Sequence, residues 1–260
     1  MTNDDSGATP DDSLSIHEPP RVLVPVEVLE GQTIPQSLVE FLAPAEIIVL
    51  GYHVLPEQTP AEQASMQFED RANEAVDDIA ATFTAAGREV ETRVAFTHDR
   101  DQTLDRVAAA VGATTVLLPN PVGEIDDILV PLRGAVDVDR LADLVATLLD
   151  DGTVTLWALT DGAGADDTET LLDHCAETLR ERGVDPGQIR TESGPAAESP
   201  TRAVVERSGE FDVIVMGEGQ DTLLTTVLGD TTDRIAEGAV APVLVVRRGE
   251  SDGTAPTESE

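Results

Sequence analysis

Residues 213–248 read VIVMGEGQDTLLTTVLGDTTDRIAEGAVAPVLVVRR, and their pattern is the most informative about the fold class. Two apolar runs, at 213–216 and 242–246, flank a glycine-containing turn and a segment with helix start and stop signals from about Thr232 to Gly238. Runs that are apolar throughout are typical of strands buried on both faces of a parallel sheet. The stretch therefore predicts a strand, a turn, a helix and a second strand.

The same pattern occurs twice in the chain. RVLVPVEVLEG (21–31) returns as DILVPLRGAVD (127–137), and EIIVLGYHVLPE (46–57) is matched by TVTLWALTDG (153–162). In each copy these two strands are followed by an amphipathic helix, a third strand, a third helix and a fourth strand. Strands that alternate with helices predict an α/β fold with doubly wound parallel sheets, one Rossmann-like domain for each copy.

The two copies differ after the fourth strand. In the first copy, TTVLLPNP (114–121) is followed only by VGEIDD before the second copy begins, so the final helix and strand are missing unless residues 128–132 double as an edge strand. The first domain is therefore predicted to be truncated. The expected division is an acidic tail at 1–19, a first domain at 20–124, a second domain at 125–249 and an acidic tail at 250–260.

Charge excludes one class of partner. The formal net charge is -35, all 16 basic residues are Arg, and aromatic residues make up 3% of the chain. An acidic surface without Lys is typical of halophilic proteins, because multimolar salt screens the repulsion between carboxylates. We therefore expect this protein to be halophilic. A nucleic-acid partner needs a basic face, so neither DNA nor RNA binding is expected.

Several known sequence motifs are absent from the chain, and their absence bears on the expected location and on catalysis. The first 19 residues do not have the pattern of a signal peptide, no run is long enough for membrane insertion, and the single Cys175 is expected to be a core residue. We therefore expect a cytoplasmic protein. The lysine-containing phosphate loop, the G-x-S-x-G elbow and the H-E-x-x-H helix do not occur, so no enzymatic activity is expected.

The histidines do not indicate a metal site. His98 stands beside Asp99 and Asp101, but an aspartate here is expected to cap the helix that begins near Gln102. His53 at the end of a strand is expected to be packed or hydrogen-bonded. Neither a catalytic residue nor a metal ligand is predicted.

Four stretches together resemble the universal stress protein family in a tandem, haloarchaeal type of arrangement: RVLVPVE (21–27), HVLPE (53–57), SPTRAVVERSGEFDVIVMGEG (199–219) and GDTTDRIAEGAVAPVLVVRR (229–248). The resemblance implies a doubly wound five-stranded sheet in a cytoplasmic protein of the stress response. It also implies pairing of subunits through the fifth strand and, in one branch of the family, ATP binding.

The ATP-binding branch carries Gly, two residues, Gly, nine residues, Gly and then Ser or Thr, with an Asp at the end of the first strand. Here one residue, Glu218, separates the first two glycines, whereas the spacing of nine residues is kept. The candidate nucleotide-site residues in the second copy are Arg133, Gly217, Gly219, Gly229, Asp230 and Thr231. Arg133, which replaces the acid, could meet a phosphate or neutralise Glu218 or Asp230.

Asp230 argues against a bound phosphate. A carboxylate at a helix N-terminus would occupy the free N–H groups that a phosphate uses, and would repel the phosphate as well. In the first copy, Glu27 stands at the acid position, but residues 119–121 (PNP) replace the glycine loop. The glycines at the second site are equally compatible with a strand end that binds no ligand.

Two functions therefore remain open. One is a non-enzymatic stress-response module with vestigial adenine-nucleotide binding in the second domain, with ATP as the candidate ligand. The other is a scaffold that works without a nucleotide and forms a homodimer through residues 242–248, because an apolar edge strand left unpaired by the truncated first copy would recruit a second chain.

Overall fold

The computed structural model describes residues 14–87, 89–160, 165–195, 200–218, 235 and 238–249. Within these ranges the chain forms nine strands and six helices. The strands are β1 (Arg21–Glu27), β2 (Glu46–Val54), β3 (Val90–Thr97), β4 (Thr115–Leu118), β5 (Asp127–Leu132), β6 (Thr153–Thr160), β7 (Ile189–Pro195), β8 (Val213–Gly217) and β9 (Val243–Val246). The helices are α1 (Gln36–Leu42), α2 (Ala61–Ala85), α3 (Arg100–Ala110), α4 (Val138–Leu148), α5 (Ala165–Glu181) and α6 (Pro200–Arg207).

All nine strands lie in one sheet, in the order β3-β2-β1-β4-β9-β8-β5-β6-β7. Neighbouring strands are parallel except for β4 and β9, which are antiparallel. The order β3-β2-β1-β4 in the first copy matches β7-β6-β5-β8 in the second, so each copy winds in the same way. The α/β prediction is confirmed, with both copies joined in one continuous sheet.

The last strand is not an edge. Strand β9 pairs with β8 on one side and with β4 on the other, where Leu117 lies opposite Leu244. The expectation that residues 242–248 present an open edge to a second chain is therefore wrong. The physical reason is that the first copy, which lacks its own fifth strand, leaves the outer side of β4 free, and β9 fills that side within the same chain.

Residues 128–132 do not serve as an edge strand of the first copy. Strand β5, which contains residues 128–132, pairs with β6 and β8 rather than with β4. No helix and no further strand lie between β4 and β5, and residues 119–126 are all described. Strand β4 is thus followed directly by β5, and the division of the chain into a truncated first domain and a second domain stays a prediction.

A proline stands at the same place in the first strand of each copy. Strand β1 pairs with β4 only at Val22 and Leu23, and β5 pairs with β8 only at Ile128 and Leu129. Pro25 and Pro131 follow these short ladders, where the strand makes no further bonds on that side. The two repeated prolines mark the points where neighbouring strands separate.

Helices cover both faces of the sheet. One core contains the buried residues of α1, α2, α4 and α5, and the other contains those of α3 and α6. The predicted helix ends are confirmed at Gly87 and Gly183, whose φ angles of 88° and 98° are the left-handed conformation that favours glycine. Asp99 caps α3 by accepting a hydrogen bond from Gln102 N, as expected.

Two expected features are only partly within the described ranges. Ser199, the expected N-cap of α6, lies outside them, whereas Pro200 is the first residue of that helix as predicted. Most of the helix expected at 232–238 also lies outside the described residues, and of its described residues Ile235 is buried. Cys175 is fully buried, as expected for a core residue.

Candidate functional site

In an open α/β sheet, ligands bind beyond the carboxyl ends of the strands where the winding direction reverses. This sheet has two such places, between β1 and β4 and between β5 and β8. Because β4 and β9 are antiparallel, the strands of the two copies point in opposite directions. The two candidate sites therefore open at opposite ends of the sheet.

The second-copy site contains two of the predicted residues. Arg133 follows β5 and is exposed, and Gly217 is the last residue of β8. A Cβ atom at Gly217 would lie 2.9 Å from Cγ1 of Val136. Gly217 is therefore explained by close packing against Val136, a contact that also occupies space beside the end of β8.

Arg248 bridges the two strand ends at this site. Its Nη2 atom donates to the carbonyl oxygen of Glu218 at 3.3 Å and to that of Ala135 at 3.5 Å. The Glu218 carboxylate accepts a hydrogen bond from the Arg248 backbone N–H at 3.2 Å. The sequence suggested Arg133 as a partner of Glu218, whereas these contacts of Glu218 are made by Arg248.

The start of α4 adds a second carboxylate to this site. One oxygen of Asp137 accepts from Arg140 N at 3.2 Å, and the other accepts from Gly249 N at 3.0 Å. The backbone donors that a helix N-terminus offers to an anion are here bound in part by the cap of the protein itself. Glu218 and Asp137 thus place negative charge where a phosphate would approach.

The other four predicted site residues, Gly219, Gly229, Asp230 and Thr231, lie outside the described residues. The structure consequently places Arg133 and Gly217 at the ends of the adjacent strands β5 and β8, and the predicted effect of Asp230 on a phosphate stays a prediction.

The first-copy site has an acid at the end of its first strand. Glu27 ends β1, and its backbone N–H donates to the side-chain oxygen of Gln32 at 2.9 Å, which folds residues 28–32 back onto the strand end. The Glu27 carboxylate lies 3.9 Å from Nδ1 of His53, and each side chain is 24% exposed. His53 is half-buried, in keeping with the expected packing role.

Tyr52, beside Glu27 on the neighbouring strand, is 9% exposed. Burial raises the pKa of its hydroxyl, Arg100 opposes that rise, and the carboxylates of Glu27, Asp101 and Glu30 add to it. The tyrosine is therefore uncharged at neutral pH, and it contributes no anion or nucleophile to this site.

Asn120 stands where a glycine loop was considered at the fourth strand end of the first copy. Its side-chain amide donates to the carbonyl oxygens of Ala239 at 3.4 Å and Ala241 at 3.1 Å, which lie just before β9. Ser37 of α1 donates to the carbonyl of Val122 in the same loop at 3.3 Å. Residues 119–126 thus join the two copies instead of forming a phosphate-binding turn.

Sequence reasoning missed Asn120 and Arg248 as contact residues. The signal for Asn120 was its position between two prolines, which fixes the backbone on both sides. For Arg248 no signal was available, because the groups it contacts lie 30 and 113 positions away in the sequence. The described residues contain no group of three potential metal ligands and no helix that could span a membrane.

Comparison with known proteins finds a family model that matches part of the chain and solved structures with a similar fold. Residues 128–247, from β5 through β9, match the model of the Universal stress protein family. A universal stress protein from Archaeoglobus fulgidus DSM 4304 is similar in structure, with a TM-score of 0.52 and 16% identity, over 88% of this chain and 98% of that one. A putative universal stress protein from Pseudomonas aeruginosa UCBPP-PA14 has a TM-score of 0.49 and 14% identity, over 87% and 92%. No curated protein sequence matches the chain.

Proposed function

We propose that the whole chain is a tandem universal-stress-type protein, a non-enzymatic stress-response module that acts in the cytoplasm as a scaffold without a bound nucleotide. The family match of residues 128–247 supports this proposal for the second copy of the chain. The identical winding of β3-β2-β1-β4 and β7-β6-β5-β8 supports the first copy.

One observation carries the nucleotide-free part of the proposal. The Arg248 guanidinium joins Glu218 at the end of β8 to Ala135 in the loop after β5. These two segments flank the crevice where a nucleotide would enter the second copy, and Val136 packs against Gly217 in the same place. A ligand would have to displace contacts that the protein already makes with itself.

Charge acts in the same direction. The Glu218 carboxylate at the strand end would repel a phosphate a few Å away by about 1 to 4 kcal/mol, for an effective dielectric between that of water and that of a protein surface. Asp137 adds a further carboxylate at the start of α4. Multimolar salt weakens this repulsion but leaves the packing of Val136 unchanged.

Calorimetry with Mg-ATP in multimolar KCl tests the proposal. We expect no measurable binding heat and no nucleotide released when the purified protein is denatured. Glu218→Gln removes the charge at the strand end, and Glu124→Gln is the matched control at an exposed position of the linker between the copies. Saturable binding of one nucleotide per wild-type chain would contradict the proposal.

A second candidate function is adenine-nucleotide binding in the second copy. The exposed Arg133 at the end of β5 favours it, because a guanidinium there could meet a phosphate. If this function is the correct one, Arg133→Gln abolishes the binding heat and Glu218→Gln increases the affinity. The same titrations therefore separate the two candidates.

A homodimer stays a prediction of this proposal, but its contact cannot be the free edge expected at residues 242–248. Among the described strands, β3 and β7 are those that pair on one side only. Light scattering in multimolar KCl measures the mass of the particle, and a monomer would contradict the dimer.

A further inference from the structure

A short segment before the first copy is bound to the second. Residues 14–18, which we call the strap, precede β1 but lie on α4 and on the end of α5. Ser15 N–H donates to the carbonyl of Arg182 at 3.1 Å. The N–H groups of His17 and Glu18 donate to the two carboxylate oxygens of Asp143 at 3.1 and 2.9 Å.

An ion pair lies beneath the strap. Asp143 and Arg182 are 1% and 2% exposed, and Nε of Arg182 lies 2.6 Å from the Asp143 carboxylate. Asp143 is buried among apolar residues of α4, and a carboxylate in such surroundings needs several donors to be stable. Arg182 supplies one donor, and the strap supplies two more.

The strap is attached mainly by polar contacts. Of its apolar side chains, Ile16 is partly buried against the core, and Leu14 is 46% exposed. Arg140 holds the Glu18 carboxylate through Nε and Nη2, at 2.7 and 3.0 Å. Release of the strap would let water reach the Asp143–Arg182 pair, so both charges would regain solvation. Detachment would also expose little apolar surface.

Charge makes the attachment dependent on salt. Residues 1–20 contain five carboxylates, those of Asp4, Asp5, Asp11, Asp12 and Glu18, and neither Arg nor Lys, while the chain as a whole has a net charge of -35. The Debye length is about 3 Å in 1 M salt and about 30 Å at 0.01 M, so repulsion between this acidic segment and the acidic body acts only at low salt. The partly exposed Glu18–Arg140 pair is one local attraction against many repulsions.

We propose that the strap is a salt-sensitive latch, which is docked on α4 and α5 in multimolar salt and is released as ionic strength falls, before the sheet unfolds. Release frees the segment that leads into β1 from the second copy and uncovers the Asp143–Arg182 pair. The inference does not depend on the function proposed above, because it concerns contacts away from both strand-end sites.

Hydrogen exchange of the full chain, followed as KCl is lowered, tests the latch. The amides of Ser15, His17 and Glu18 are expected to be protected in multimolar KCl and to lose roughly tenfold protection at submolar KCl, while those of Ile214 and Leu244 in the core keep theirs. Protection of the strap that does not change with salt would overturn the proposal. So would a loss of strap and core protection at the same salt concentration.

Charge variants test the cause. Replacing Asp4, Asp5, Asp11 and Asp12 by Asn should move the release of the strap to lower salt. The matched control replaces four exposed carboxylates of α2, those of Asp70, Glu74, Asp77 and Asp78, by their amides. A control that shifts the release as far as the variant of the first 13 residues would overturn the local electrostatic mechanism.

Discussion

Leu117 of the first copy lies opposite Leu244 of the second in the antiparallel pair of the sheet, and both side chains are fully buried. Strand β9 thus completes its own copy by pairing with β8 and at the same time closes the open side of the other copy. A strand that two copies share makes the folding of each depend on the other. The first two predictions follow from this arrangement.

Val245→Pro should strongly destabilise the protein, because proline removes a ladder hydrogen bond from a strand with neighbours on both sides. We expect a loss of about 3 kcal/mol or more in the free energy of unfolding, measured by denaturant titration in multimolar KCl. Val90→Pro, at the first residue of the one-sided strand β3, is the matched control and should cost less. Equal costs would show that β9 is not a central strand.

The first copy should not fold by itself. A fragment of residues 14–126 lacks β9. The backbone edge of β4 that pairs with β9, and the apolar surface beside it, are therefore exposed. We expect the isolated fragment to show no cooperative unfolding by circular dichroism, and to become folded when it is co-expressed with residues 127–249. A cooperative transition of the fragment alone would contradict the shared-strand arrangement.

The sequence predicted the α/β fold, its strands and the helix ends, because apolar runs and glycine helix ends are local signals. The placement of β9 could not be predicted in the same way. Its residues VLVV fit any buried parallel or antiparallel strand, and the choice of β4 as a partner depends on which edge the rest of the chain leaves open. The sequence pattern had suggested an intermolecular partner instead.

The candidate site was predicted only in part for a related reason. Glycine and acidic residues indicated where the strand ends lie, and Arg133 and Gly217 are found there. Other contacts near the sites come from Arg248 and Asn120, which are distant in sequence from the groups they bind. The Asn120 contact becomes visible only when the two copies are placed side by side, and the Arg248 contact only when β9 is placed beside β8.

Asn120→Ala should destabilise the protein, because two carbonyl oxygens before β9 lose their donor. We expect a cost of about 1 to 3 kcal/mol in the free energy of unfolding. Asn120→Asp should cost more, since a carboxylate would face both carbonyls. Asn73→Ala, at an exposed position of α2, is the control and should change the stability by less than about 0.5 kcal/mol. Denaturant titration checks all three variants, and equal effects of the two alanine substitutions would contradict the role of Asn120.

Gly217→Ala tests the packing at the second-copy site. The new methyl group would meet Val136 at 2.9 Å, and an overpacked contact of this kind costs about 1 to 3 kcal/mol. Val136→Ala should relieve the clash, so the double variant is expected to be more stable than the sum of the two single effects predicts. At Gly209 nothing lies within 4 Å of an added Cβ, which makes Gly209→Ala the control. Additive effects at 217 and 136 would show that the two residues do not touch.

The free thiol provides a prediction about pH. Burial raises the pKa of Cys175 to about 12 from its usual value of 9.0. The folded state therefore keeps a proton that the unfolded state loses above pH 9, so this group's stabilising contribution is complete below pH 9 and is lost as the pH rises through the interval to about 12. The slope is at most about 1.4 kcal/mol per pH unit. Denaturant titrations of wild type and Cys175→Ala between pH 8 and about 11 should show a difference in stability that shrinks as the pH rises.

In the same interval the thiol of the folded protein should react with a thiol reagent no faster than the chain unfolds. A stability difference that is independent of pH, or immediate labelling in native conditions, would contradict the burial of Cys175.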